Sequence, residues 1–575
     1  MKKIFIGFLI GLAFCFLVTL LIGAGLMAAF TLSPQSVEMA NSSVLVLQLE
    51  GDVPEQSPVD YQIPFLNERS GLTVVENWQV LKKAAADARI KAVVVSPSGL
   101  SVGWAKLEEL RAQILDFKKS GKPVYAYLHG AGTKEYYVAT AADQIFMPPD
   151  DWLDVKGLRA ELSYYKNTLD KVGAAMEFEG IGMYKDAPDT YTKTSPSPQT
   201  LEITNLILDQ YFGSLINVIA EGRKKQPADV RALIDKGPFV GQGAVDSGMI
   251  DATIFEDEMY DRLKAALKTA SLKKVTSPDY ERVNLAGFDG KGARVAVVTG
   301  DGEITGGNNT SLTGGGLTAS GIAKVLRKVR EDSTIQGVIV RIDSPGGDAV
   351  ASAEILHEVK LLSAKKPTII SMSDYAASGG YMMAMTGDPI LAYNNTLTGS
   401  IGVFFGKLTL RGFYDKIGLN RTLLTRGKWA TIDSEYTPLS PDERARLHGE
   451  LLEYYKGFVQ RVADGRKQPF DKIEPLAQGR VWLGAQAKTN GLIDEIGGLD
   501  RAVEMMKQKA KIPTGDRVSL ILYPERRSLV ETLLNRDKQP TDVELMVDKV
   551  VGRLPWRALA HGGIMQQMPY GLDVK

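Results

Sequence analysis

Cysteine and histidine are nearly missing from this chain of 575 residues, which holds one of the former, Cys15, and four of the latter. A lone cysteine inside an apolar run excludes a disulfide framework, a thiolate metal site and a catalytic Cys/His pair. None of His129, His357, His448 and His561 stands in a recognisable triad position. Net charge is lacking too. The 68 basic residues balance 68 acidic ones, so nothing argues for nucleic acid as a partner or for a polybasic membrane-surface segment. The Gly-rich stretch Gly300–Gly316, with Asn308–Ser311 inside it, lacks the phosphate-loop pattern and reads as a mobile loop. No metal or cofactor is called for.

What the chain does have begins at its N-terminus. Lys2 and Lys3 precede 29 uncharged residues, Ile4 to Leu32, long enough as a helix to cross a hydrocarbon core of ~30 Å with some tilt. A cleaved signal peptide would have a shorter apolar region ending in a small-x-small site, which Leu26–Ala29 does not supply. The expectation is one transmembrane anchor over residues 1–34. Its two lysines stay cytoplasmic, and everything from about residue 35 faces outward. In a Gram-negative cell that means an inner-membrane protein whose body lies in the periplasm.

The remainder reads as a degenerate duplication. Ser43–Gly51 resembles Ala293–Asp301, and Ile90–Val95 matches Ile335–Val340 at an offset of 245 residues. Helical stretches Ala105–Lys119 and Ala351–Ala364 follow, then strands Pro123–Leu128 and Pro367–Met372. Tyr136…Asp143-Gln-Ile145 meets Tyr381…Asp388-Pro-Ile390, and Gly182–Asp186 falls on Gly427–Thr431, both at 245 again. Short apolar strands alternating with helices predict an α/β fold with two tandem βα-repeat domains and largely parallel, doubly covered sheets. The boundaries are 44–285 and 290–525, with a helical, apolar-capped tail over 526–575.

Chemistry concentrates in the second repeat. Strand Pro367–Met372 runs into Ser373-Asp-Tyr-Ala-Ala-Ser-Gly-Gly-Tyr381, and helical pattern resumes at Met382. A strand-turn-helix elbow of this kind holds Ser378 on a tight turn, with the N–H of Gly379 aimed at developing negative charge. Upstream, Val338–Gly347 ends a strand in Ser344-Pro-Gly-Gly347, two glycines whose backbone can approach a substrate carbonyl closely. Gly379 with Gly346 or Gly347 can therefore form an oxyanion hole.

The order Ser-Pro-Gly-Gly, then Ala-Ala-Ser-Gly-Gly-Tyr, resembles the signal peptide peptidase A family in its long, duplicated form, over nearly the whole chain. That resemblance implies the fold of the Clp protease and crotonase clan, a nucleophilic serine at Ser378 and assembly into a ring-like homo-oligomer, a tetramer in the family. Its substrates would be cleaved signal peptides and similar apolar peptides. Lys185, in Gly182-Met-Tyr-Lys185, matches the family's motif bearing the general base, and Ser400 matches a serine that orients that lysine.

The duplication supports Lys185 independently. At offset 245 it falls on Ala430, so the second repeat has the serine without the lysine. The first repeat has Thr133 or Lys134 where the serine should be, and Ser101 and Val102 where the paired glycines should be. Complementary loss predicts one composite site formed between the repeats. Lys428, two residues before Ala430, is the rival base. An ordinary lysine, with pKa ≈ 10.4, is only ~0.1% neutral near pH 7.4, so a useful base needs burial to lower its pKa by roughly 3 units. Two other functions compete with a Ser/Lys peptidase. A crotonase-type acyl-CoA enzyme would need positioned carboxylates instead, and an inactive membrane scaffold would not need the intact Ser378, glycines and Lys185.

Overall fold

The computed structural model describes residues 39–56, 71–286, 288, 292–306, 317–525, 563–568 and 573–574, together with 17–18. The expected membrane span, apart from Leu17 and Val18, lies outside the described residues, as does Asn308–Ser311. Among the described residues no helix is long and apolar enough to cross a membrane.

Two sheets repeat one strand order. The first runs Ala252–Thr253, Gln144–Met147, Val124–Tyr127, Ile90–Ser98, Ser43–Glu50, Lys273–Thr276, with every pairing parallel. The second places Glu495–Ile496, Ile390–Ala392, Thr368–Ala377, Gly337–Ser344, Ala293–Asp301 and Val518–Tyr523 in the corresponding order, again in parallel. Their sequences explain the burial. Gly337–Ser344 is buried at all eight positions, as suits a strand covered by helices on both faces. One covering helix is Ala349–Ser363, whose N-terminus is capped by Asp348 accepting from Ala351 N at 2.7 Å. A continuous apolar cluster joins the two units, with Leu45, Trp78 and Leu107 of the first and Val295, Ile339 and Leu499 of the second.

A third sheet crosses the repeat boundary and departs from the parallel pattern. Ala175–Ile181, from the first repeat, pairs antiparallel with Val403–Thr409 of the second. Val403–Thr409 pairs on its other edge with Gly563–Gln567, which in turn pairs antiparallel with Gly346–Asp348. The tail was expected to be helical; its described residues are strands, because the open edges of Gly346–Asp348 and Phe404–Gly406 offer ladder partners on both sides. The nucleophile strand is also longer than expected. It continues to Ala377, and the helix starts at Gly379 rather than Met382.

Candidate active site

Ser378 is fully buried at the junction of strand Thr368–Ala377 and helix Gly379–Met383. Its φ of 54° lies in the left-handed region, at a cost of roughly 1–2 kcal/mol for a residue with a Cβ. Two backbone bonds hold it there: its N–H donates to Gly399 O at 2.7 Å, and its carbonyl accepts from Met382 N at 2.9 Å. Gly379 opens the helix, where a first-turn N–H has no acceptor within the helix. The space beside that N–H is kept open by Gly346, since a Cβ there would stand 2.8 Å from Gly379 N. Gly346 N–H itself donates to Ser344 Oγ at 3.2 Å, and Gly347 lies in register with Ile304 and Gln566. Of the three glycines, Gly379 has the donor best placed beside Ser378.

Lys185 comes to this serine from the first repeat. Its Nζ lies 2.8 Å from Ser378 Oγ, 3.0 Å from Ser400 Oγ and 3.1 Å from Ser400 O. The pairing of Ala175–Ile181 with Val403–Thr409 delivers it, because the chain turns directly from that strand through Gly182 to Lys185, whose N–H donates to Gly182 O at 3.0 Å. A slot of two glycines receives the side chain. A Cβ at Gly479 would be 2.7 Å from Lys185 Cβ, and one at Gly402 would be 3.1 Å from its Cδ. Burial strips water from the ammonium and holds its pKa down to about 7, against the opposing pull of the neighbouring Asp186. Asp186 is itself buried and shifted upward by desolvation; its carboxylate accepts from Thr200 Oγ1 at 2.6 Å. Ser400 is also left-handed, with φ 50°, and its N–H donates to Arg480 O at 2.7 Å.

Behind the site, buried charges tie the repeats together. Arg341, with no exposed surface, donates through Nε and Nη2 to both oxygens of Glu55 at 3.0 and 2.9 Å, and it also pairs with Glu109. Lys106 Nζ lies 2.8 Å from Asp343. Asp374 accepts from the N–H groups of Gly103 and Lys106, each at 2.9 Å. Asp343 and Asp374 stand on the strands that lead to Gly346 and Ser378. Burial foremost, with Asp343 as a neighbouring like charge, raises the Asp374 pKa to about 6, while Lys106 pulls it down.

The other sequence candidates lie elsewhere. Lys428 is exposed and pairs with Asp442 at 3.0 Å. His129 and His448 are exposed and face Asp151 and Glu179 at 2.9 Å each; His357 is exposed on a helix; His561 lies outside the described residues. In the first repeat Lys134 Nζ donates to Val102 O at 2.8 Å, and the Glu135 carboxylate accepts from the N–H groups of Leu100 and Gly132, at 2.5 and 3.0 Å. That degenerate elbow is filled by its own side chains. Sequence reading missed Gly402, Gly479, Asp186 and the Arg341 cluster. The Gly-Ser-Ile-Gly402 and Gln-Gly479-Arg turns were visible, but only the lysine's approach gives them a role.

The tail strand lies beside these groups. Gln566 O would be 2.1 Å from a Cβ at Gly346 and 3.3 Å from one at Gly379, and Met568 N–H donates to Pro345 O at 2.9 Å. An extended chain thus passes alongside Ser378 with strand partners on both edges.

Comparison with known proteins agrees with this chemistry. The sequence model of peptidase family S49 matches residues 116–270 and 360–513. The chloroplastic serine protease SPPA of Arabidopsis thaliana is 37% identical over 486 residues, covering 83% of this chain and 71% of that protein. Protease 4 of Haemophilus influenzae is 29% identical, covering 81% of this chain and 78% of its own. Among solved structures, ClpP1 from Listeria monocytogenes superposes with a TM-score of 0.21 at 17% identity, over 35% of this chain and 91% of that one. A membrane-bound stomatin-specific protease gives 0.25 at 15% identity, over 41% and 98%. Those superpositions are too loose to bear on the assignment, which rests on the sequence matches across both repeats: the chain belongs to peptidase family S49 and is a serine peptidase.

Proposed function

We propose that Ser378 and Lys185 form the catalytic dyad of an endopeptidase for apolar peptides, signal peptides released from precursors among them. The observation that carries this reading is the 2.8 Å contact between Lys185 Nζ and Ser378 Oγ, with both side chains buried. Neutral Lys185 takes the Ser378 proton as Oγ adds to the peptide carbonyl, and the negative oxygen forms next to Gly379 N–H. Collapse of the tetrahedral adduct breaks the C–N bond, and the same proton passes from Lys185 to the leaving amine. Water then adds to the acyl-enzyme with Lys185 as base, releasing the acid and restoring the serine. Ser400 Oγ and O hold the ammonium nitrogen toward Ser378. The cleft bordered by Gly346–Asp348 and Phe404–Gly406 suits a substrate that binds as an added strand, which favours peptides over acyl thioesters.

In the same proposal the N-terminal residues 1–34 anchor the enzyme in the inner membrane with its body in the periplasm, and the body has the Clp/crotonase-type fold and works as a homo-oligomer. A fluorophosphonate probe tests the dyad: the wild type should be labelled and should cleave an apolar peptide, whereas S378A and K185A should do neither while keeping the wild-type circular dichroism. Undiminished cleavage by folded S378A would overturn it. Protease added to spheroplasts should remove the body, and its protection while other periplasmic domains are digested would reverse the orientation.

A further inference from the structure

The pairing that brings Lys185 to Ser378 has a second, unfilled counterpart. Within the chain, donor strand Ala175–Ile181 adds to Val403–Thr409, from Val403 opposite Ile181 to Thr409 opposite Ala175. At the 245-residue offset the donor becomes Asn420–Arg426 and the acceptor becomes Leu158–Tyr164. The flanking elements correspond as well. Helix Lys166–Val172 and helix Arg411–Ile417 have the same length and each ends at a left-handed glycine, Gly173 and Gly418.

Both counterparts are open. Residues 420–428 are exposed apart from Trp429 onward, belong to no strand, and their backbone groups make no backbone hydrogen bond among the described residues. Acceptor Leu158–Tyr164 is paired along one edge only, Ala160 with Val574 and Glu161 with Asp573. This matches the edge on which Phe405 and Gly406 meet Ile564 and Gly563. In Val403–Thr409 the opposite edge carries the donor strand; in Leu158–Tyr164 it carries nothing.

Side chains change in step at the two junctions. Inside the chain, Glu177 and Glu179 of the donor reach Arg444 at 2.6 and 3.8 Å, on the helix Pro441–Arg466 that overlies them. The corresponding helix is Pro198–Arg223; aligned by their capping serines, Ser197 and Ser440, it places Leu201 at the Arg444 position. Donor residue Glu179 corresponds to Leu424. Leu424 and Leu201 are respectively 89% and 46% exposed. A charged contact at one junction has thus become an apolar pair at the other, with both members left in water.

We propose that Asn420–Arg426 of one copy adds antiparallel to Leu158–Tyr164 of the next, in the register that sets Leu424 opposite Ala160, with Leu424 covered by Leu201. This rests on the reading that the protein works as a homo-oligomer and assigns the surface that builds it. The contact is head-to-tail, so repetition closes a ring or extends a filament. Each such junction brings Ala430 and Lys134, rather than Lys185 and Ser378, to the equivalent place. The junctions between copies are therefore structural, and each chain keeps its own single peptidase site.

The test uses the full chain in detergent with Cys15 replaced, C15S. The pair A160C/L424C should oxidise to a ladder of multimers, because every copy carries one donor and one acceptor, whereas A160C/N420C, four residues off register, should not. In light scattering L424E should lower the mass at least twofold, and adding L201R, which copies the Glu179–Arg444 contact, should restore it. A full-size L424E assembly together with no A160C/L424C ladder would overturn this surface and leave self-association standing. A wild type that is monomeric at micromolar concentration would overturn both.

Discussion

The two elbows of this chain occupy equivalent places and have opposite contents. In the second repeat Ser378 sits on a strained turn with open space beside Gly379 N–H, and a buried lysine arrives from outside the repeat. In the first, Lys134 and Glu135 turn inward and take up the local backbone donors and acceptors. A catalytic elbow must leave polar groups poised and unspent, whereas an elbow freed from that task satisfies them itself. The difference also shows what the second repeat depends on: its base is held by a strand and two glycine walls that no single repeat contains.

The largest effect expected from breaking that contrast is at the nucleophile. S378A should lower kcat by ~10⁴-fold or more, measured with a chromogenic apolar peptide, because dyad members act as a unit. K185M should be nearly as damaging, while K428A should stay within about twofold of wild type; full activity in K185M would place the base elsewhere.

K185M also carries an opposite prediction for stability. Because Lys185 has a folded pKa near 7, below its unfolded value, burial of the ammonium penalises the native state fully below pH 7, and the penalty fades between pH 7 and pH 10. A shift of about 3 units corresponds to about 4 kcal/mol. K185M should therefore resist urea better than wild type at pH 6, with the gap closing by pH 10. In the wild type kcat/KM should rise with pH through about 7, as the neutral amine forms; a profile flat from pH 5 to 9 would contradict the dyad.

Cutting the charges behind the site should act next. Lys106→Met leaves Asp343 and Asp374 buried without their cation, at a cost of ~3–5 kcal/mol; urea unfolding should report it. S400A, which removes one of three contacts to Lys185 Nζ, should lower kcat by ~10-fold. The mildest change is deletion of residues 563–575, which withdraws the Gln566 carbonyl from the space beside Gly346 and should speed fluorophosphonate labelling by roughly twofold to tenfold.

Much of this was legible in the sequence where the signal is local or repeated. Val338–Gly347 and Ala377–Gly380 spell out their turns, and the offset of 245 exposed Lys185 through the absence of a lysine at Ala430. What stayed hidden depends on pairing between distant segments. Ser373 and Asp374 look like turn formers, yet they continue a strand because Asp374 finds N–H donors in Gly103 and Lys106 of the other repeat. Arg341 is one cation in an apolar run, and nothing local says that Glu55 and Glu109 will meet it. The tail strand was invisible for the same reason: Gly563–Gln567 acquires its conformation from two edges formed more than 150 residues earlier.

The 193 residues between Lys185 and Ser378 have a consequence for biosynthesis. A chain made N-terminus first displays its lysine long before its serine exists, and the lysine remains an ordinary charged side chain until the second repeat folds and buries it. Proteolytic power then switches on only with completion of the tertiary structure. A nascent or half-exported molecule is harmless to its neighbours without any separate propeptide to restrain it.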